Sequence, residues 1–396
     1  MKRKSVLKKA ATILTAAAMA TGSLTVCGTT VGAASADSDG GKILYLSNIN
    51  SGIYYDYYTA FYERICADLG YDFEIIYGDP YNDPNGNLTA VRNAYTDDVV
   101  GLITTQDGGI ESIMDEYPDM YVSALGTDMD SVFEEDGTNH GALEKDHFLA
   151  VSGDMFTSGE EQGQYYAQQI IDGGYKKVAT VLFPSYAYPR TAIADQAFRD
   201  AIEEYNQTAD EKIEIVGEAT VLDFTPLDAS FFLEEGYGDL DAIVGLCAGI
   251  QFIYPTMVVA KADGTCDQKT QLITNGYEND ADILADSGDE KTIKSTTITN
   301  PEAAFLPIAL IDNAIQGKQY ADYPGAENVE PGIITVDSTS DFEVMKEKFA
   351  DGQTLLENIA VSVEELEMLL IRNNPDATYA ALVEATSTET MESYLE

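Results

Sequence analysis

Two α/β domains in tandem, each a doubly wound parallel sheet, are predicted by three observations. The chain has 396 residues, and that length suggests about two domains. A strand–helix alternation begins at residue 42, and it restarts after an acidic stretch at 128–146. Strand, helix, strand repeated in this way means a parallel sheet with helices on both faces.

The first alternation runs through "KILYLSNI" (42–49) as a buried strand, a helix over 54–69, "FEIIYGD" (73–79) as a strand and "NLTAVRNAY" (87–95) as a helix. "VVGLITTQ" (99–106) follows as a strand, then a short helix at 110–116 and the strand "YVSALG" (121–126). The second alternation opens with the strand "FLAVSGD" (148–154) and a helix over 158–172. It continues with the strand "KVATVLFP" (177–184) and an amphipathic helix over 191–205. "IEIVGEATV" (213–221), "DAIVGLCA" (241–248) and "TQLITNGY" (270–277) complete its strands. Near the C-terminus "PGIITVDS" (331–338) reads as a closing strand, and "ATYAALVEAT" (377–386) as a helix. "SVEELEMLLIRN" (362–373) reads as a helix with Ser362 as N-cap and Glu365 in the capping-box position.

The first 26 residues read as a signal peptide: Lys2, Arg3, Lys4, Lys8 and Lys9 precede the apolar run "AATILTAAAMAT". Two cleavage readings stand. "LTVCG" (24–28) resembles a lipobox that would lipidate Cys27, and "ASAD" (34–37) offers ordinary secretion. The lipoprotein reading is preferred, because the apolar run leads straight into Cys27. Residues 27–41, small and glycine-rich, read as a flexible tether.

Acidic residues number 68 against 22 basic, a formal net charge of −46. Such a surface repels nucleic acid and anionic lipid. The mature chain would keep Cys66, Cys247 and Cys266, an odd set with no self-contained disulfide framework. Cys66 reads as a buried thiol, and a Cys247–Cys266 bridge stays open.

Catalytic signatures are absent. The two histidines, His140 and His147, lie in the acidic stretch with Glu144 and Asp146. Their spacing matches no strong metal motif, so they read as loop residues. "GTTVGAASADSDGG" lacks the Lys-Ser/Thr ending of a phosphate loop, and "SNINSG" is not a dinucleotide fingerprint. No cofactor, no metal and no enzymatic activity are expected.

Tyrosines crowd the stretch "NSGIYYDYYTAFYERICADLGY". Tyr54, Tyr58, Phe61, Ile65 and Leu69 form one helical stripe and should face the sheet. Tyr54 and Tyr55 also sit just beyond the carboxyl end of the first strand, where open parallel sheets bind ligands. Flat rings there can stack on a sugar or a base while polar neighbours fix its orientation.

Residues 43–105 run strand, loop, two aromatics, a helix ending in Leu-Gly-Tyr, strand, Asn/Asp-rich turn, helix, strand. This order resembles the opening of the type I periplasmic binding proteins, the ribose-binding-like (LacI-type) solute receptors of ABC transporters. "FLAVSGDMFTSGEEQGQYYAQQI" and "KVATVLFPSYAYPRTAIADQAFRDAIEEY" are similar to the start of that family's second lobe. "IKSTTITNPEAAFLPIALIDNAIQGKQY" is similar to the segment returning to the first. The resemblance covers about 42–340. It implies two lobes joined by a multi-strand hinge: 42–147 with about 299–330, and 148–298 with about 331–340, leaving 341–396 as a helical extension. It also implies an extracytoplasmic monomer, anchored by Cys27 or secreted, that captures a small molecule, a sugar first, between its lobes for an ABC permease. A nucleoside receptor of the basic-membrane-protein type and a sensor for a signalling kinase are the alternatives. The family's aromatic pair falls on Tyr54 and Tyr55. Strand ends add Gln106, Asp107, Asp154, Tyr188, Arg190, Gln251, Asn275 and Tyr277 as ligand-binding candidates. Arg190 is the best polar candidate, since its planar fork can hold two ligand oxygens.

Overall fold

A computed structural model describes residues 40–127, 129–185, 188–387 and 390–394. The expected signal peptide, Cys27 and nearly all of the expected tether lie outside the described residues. The described chain divides into two compact units: 40–155 with 299–334 and 347–394, and 156–298 with 335–346.

In the first unit, β1 (Lys42–Ser47), α1 (Ile53–Leu69), β2 (Asp72–Tyr77), α2 (Pro84–Ala94), β3 (Val99–Thr104), α3 (Ile110–Glu116) and β4 (Tyr121–Ala124) alternate as expected. The four strands are parallel in the order β2-β1-β3-β4. The acidic stretch forms a helical turn α4 (Asp130–Phe133) and a 3-10 turn at His140–Glu144. His140 Nδ1 lies 3.0 Å from the Val132 carbonyl, and the His147 ring packs 4.4 Å from that of Tyr121. The expected strand 148–154 shrinks to β5 (Val151–Ser152). Phe148 and Ser152 bridge to Val122 and Leu125, and β5 pairs with Asn328–Val329. Residues 148–155 therefore belong to the first unit, a correction to the lobe boundary placed after His147.

The second unit holds α5 (Gly159–Asp172), β6 (Lys177–Leu182), α6 (Pro189–Thr208), β7 (Glu214–Ile215), β8 (Thr220–Val221) and β9 (Ala242–Leu246). The helical pair α7 (Gly249–Phe252) and α8 (Tyr254–Asp263) follows, then β10 (Gln271–Asn275), α9 (Ala281–Ala285) and β11 (Ile293–Thr299). The strand expected over 213–221 breaks at Gly217, which has φ 66°. Its halves β7 and β8 both pair with β6. The sheet runs β13-β11-β10-β9-β6-β7, where β13 is Ile333–Val336, and β6 through β11 pair in parallel. Cys247 and Cys266 are both buried free thiols, so the bridge left open does not form.

The chain then gives α10 (Phe305–Ile315), β12 (Asn328–Val329), β13 (Ile333–Val336), α11 (Thr339–Lys348), α12 (Gly352–Asn358), α13 (Val363–Glu367) and α14 (Tyr379–Ser387). The helix expected over 362–373 is correct at its start, where Ser362 and Glu365 form a capping box, but α13 ends after about one turn. The extension is also divided: 341–346 cluster with the second unit and 347–394 with the first.

Helix α1 explains the tyrosine crowding. Tyr58, Phe61, Ile65 and Leu69 are buried as the stripe requires, and so are Ile53, Tyr57, Tyr62 and Cys66. The wider face is needed because α1 is covered twice. Tyr58 and Tyr62 pack on Tyr45 of β1, with ring centroids 6.5 and 5.3 Å away. On another side α12 approaches so closely that a Cβ on Gly352 would overlap the Asp56–Tyr57 backbone. Three hydroxyls then donate to successive carbonyls of the returning segment: Tyr54 to Thr299 at 2.7 Å, Tyr57 to Pro301 at 3.0 Å and Tyr62 to Ala304 at 2.9 Å. A buried phenol keeps its ring apolar and its hydroxyl satisfied in this way.

The same segment carries Glu302, fully buried. Its Oε1 accepts from the Ala360 and Val361 amides at 2.5 and 3.2 Å, and its Oε2 from the Tyr394 hydroxyl at 2.8 Å. Arg372 makes a second tie, donating from Nε to the buried Asp312 at 3.0 Å and to the Leu69 carbonyl at 2.9 Å. Tyr71 donates to Asp312 as well, at 2.7 Å.

Removing the Tyr62 hydroxyl (Tyr62→Phe) leaves a buried carbonyl unpaired and is expected to cost about 1–3 kcal/mol of stability, read by urea unfolding. Burial pushes the Glu302 carboxyl from 4.5 up to about 7. A folded-state pKa raised in this way contributes stability that is fully present below about pH 4.5 and is lost as pH rises through about 7. The wild type is expected to lose about 3 kcal/mol across that window from this group. Glu302→Gln should flatten that part of the melting-temperature profile between pH 4.5 and 8.

Candidate functional site

The carboxyl ends of parallel strands leave backbone groups and following loops open to solvent, and ligands collect there in open α/β sheets. Each unit is described at that edge separately.

In the first unit, β1 ends at Ser47 and is followed by Asn48 and the exposed Ile49; β2 ends at the exposed Tyr77. Tyr55, half-buried in the first turn of α1, shares a 2.6 Å hydrogen bond with the Tyr77 hydroxyl, and the two rings lie 6.4 Å apart. Burial and this hydrogen bond push the Tyr77 phenol well up, so its hydroxyl stays neutral. Tyr54 donates its hydroxyl to the Thr299 carbonyl. Gln106, after β3, is buried; its amide nitrogen donates to the Asp79 carbonyl. Asp107 accepts from the Asn82 amide, and Asn82 also accepts from Gly108 N at 2.9 Å. Asp154 follows β5 and accepts from the Met155 amide at 2.7 Å. Its negative charge helps to hold the Tyr58 phenol above its ordinary range, second to burial.

In the second unit, Arg190 is buried at the start of α6. It donates to the carbonyls of Phe156 at 2.7 Å and Thr157 at 3.2 Å. The fork expected to hold ligand oxygens thus ties the entry of α5 to α6. Gln251 is exposed and donates to Glu278, whose carboxyl is raised chiefly by burial. Asn275 ends β10, and its Oδ1 is buried with no hydrogen-bond partner among the described residues. Tyr277 is buried, with its hydroxyl on the Met345 carbonyl at 3.0 Å.

Sequence reasoning missed the rings at this second edge. Phe183 follows β6, Phe224 follows β8 and Phe252 follows β9. Phe183 lies 5.5 Å from Tyr188, 5.2 Å from Phe224 and 5.1 Å from Phe252. Tyr188 is exposed and the three phenylalanines are half-buried. Phe224 has φ 51°, a left-handed conformation that costs a bulky residue roughly 1–3 kcal/mol. The strand-end rule that selected Tyr188 would also have found Phe183, the residue after Leu182. Phe224 was hidden by the break of the expected strand into β7 and β8. Among the described residues no group of three or more His, Cys, Asp or Glu is placed to hold a metal ion.

No family model and no curated protein matches the chain. Solved structures do. A periplasmic sugar-binding protein from Pseudomonas fluorescens is similar with a TM-score of 0.63 and 11% identity, over 90% of this chain and 100% of that one. A glucose-galactose binding protein from Geobacillus stearothermophilus is similar at 0.53 and 16%, over 76% and 98%. A carbohydrate transporter from Acidothermus cellulolyticus, in complex with myo-inositol, is similar at 0.53 and 14%, over 79% and 99%. At these identities the likeness establishes the fold: that of the type I periplasmic binding proteins, with two α/β lobes.

Replacing Arg190 by Met keeps its packing but strands the Phe156 and Thr157 carbonyls. The expected loss is about 3 kcal/mol in guanidinium unfolding, the range for hydrogen bonds to a charged group.

Proposed function

We propose that the protein is an exported solute-binding protein that captures a small molecule, a sugar in the first instance, and hands it unchanged to an ABC permease. The observation that carries this reading is a hydrogen-bonded pair of tyrosine rings, the half-buried Tyr55 and the exposed Tyr77, at the carboxyl edge of the first unit's sheet. The fold supports it, because the solved structures that share it include ABC transporter solute-binding proteins bound with α-D-tagatopyranose and with D-arabinose. In this reading Tyr55 and Tyr77 stack on the ligand. Tyr54 and Arg190 serve as supports behind the binding residues. An anchor at Cys27 would keep the monomeric receptor at the extracytoplasmic membrane surface near its permease.

A thermal-shift screen of the mature chain against sugars, polyols, nucleosides and amino acids tests the reading. A ligand at 100 times its dissociation constant adds about 2.7 kcal/mol, a visible shift. Tyr55→Ala is expected to weaken binding roughly tenfold, the scale of one aromatic stacking contact. Ligand recovered chemically altered, or no shift from any class, would sink the proposal.

A further inference from the structure

The side chains nominated for hydrogen bonding to a sugar are largely engaged by the protein itself. Arg190 holds the Phe156 and Thr157 carbonyls, and Asp107 holds Asn82. The Gln106 amide nitrogen is on Asp79, Tyr277 is on Met345, and Gln251 is on Glu278. A free monosaccharide is ringed by hydroxyls, and each one taken out of water needs a partner. The second unit presents something else at its carboxyl edge. Phe183, Tyr188, Phe224 and Phe252 gather from the ends of β6, β8 and β9. The Phe183 and Phe224 rings are tilted by 31° with centroids 5.2 Å apart. Phe224 is held there in a strained left-handed backbone, and such strain concentrates where a side chain must be aimed.

Resting on the solute-binding reading above, we infer that this ring cluster takes a planar π group joined to the sugar. The ligand is then a neutral nucleoside or aryl glycoside rather than a free monosaccharide. A flat π system is recognised through its faces, by offset or edge-on contact with rings, and needs few hydrogen bonds. The buried Oδ1 of Asn275 offers one acceptor, suited to an N–H or O–H donor. Neutrality follows from charge. The net charge is −46, and Asp107, Asp154 and Glu278 lie at the carboxyl edges, so a phosphorylated ligand is repelled.

Calorimetric titration of the mature full chain with matched pairs tests this: adenosine against D-ribose, phenyl β-D-galactoside against D-galactose, and AMP against adenosine. Adenosine or the phenyl galactoside is expected to bind at least tenfold more tightly than its free sugar, and which of the two does so identifies the π group. Phe224→Leu and, separately, Phe183→Leu should reduce that preference below about threefold without changing free-sugar binding, with melting curves confirming that each variant is folded. Free sugars binding as tightly as their conjugates would overturn this inference and leave the sugar-receptor reading intact. AMP binding more tightly than adenosine would overturn its neutral-ligand part. Failure of every probe to bind would overturn both readings.

Discussion

The first unit depends on one constraint: α1 must bury aromatic rings on two sides while each phenol keeps a hydrogen bond. The sheet supplies ring contacts through Tyr45 but no carbonyl for the hydroxyls of Tyr54, Tyr57 and Tyr62. Those carbonyls come from Thr299, Pro301 and Ala304. The segment that provides them is fixed from its far side by the C-terminal residues, through Glu302, Ala360, Val361 and Tyr394. The position of Tyr55 at the sheet edge follows from this arrangement. Its neighbours Tyr54 and Tyr57 are pinned, so the one tyrosine of the first turn left facing the edge is held by rigid flanks.

The two carboxyl edges are built differently. The first unit offers a tyrosine pair above loops whose polar side chains bond one another, so that the loops are stiff. The second offers a cluster of rings and an open amide oxygen. Among the groups that read as ligand contacts in one dimension, Arg190 is tied to the backbone of Phe156 and Thr157. A buried guanidinium on two backbone carbonyls fixes the start of α6 and with it the exposed ring of Tyr188.

Much of this was legible in the sequence because parallel α/β units write themselves locally. The β1 to β4 alternation, the helix at 110–116 and the capping box at Ser362 all depend on residues close in the chain. What was not legible depends on distant partners. The stripe on α1 gave one buried face, while the second face exists only because α12 packs there, some 300 residues later. The capping box marked where α13 begins but not where it ends. The α10 sequence "FLPIALIDNAI" is apolar nearly all round, so no amphipathic period announces it, and only burial on all sides accounts for it. Strand ends located Tyr55 and Tyr188, but whether a strand-end polar group faces ligand or backbone is decided by neighbours that no spacing reveals.

The tyrosine ladder also sets an order of assembly. The hydroxyl of Tyr57 meets its carbonyl across a separation of 244 residues, and Tyr394 meets Glu302 only when the last residues of the chain have been made. Contacts this remote form late, because the loop between them must close before they return any stabilisation. The second unit, nearly contiguous in sequence, has no such wait. The core of the first unit is therefore complete only once residues 299–334 and 347–394 have joined residues 40–155, and the hydrogen bonds that lock α1 are the ones that wait for them.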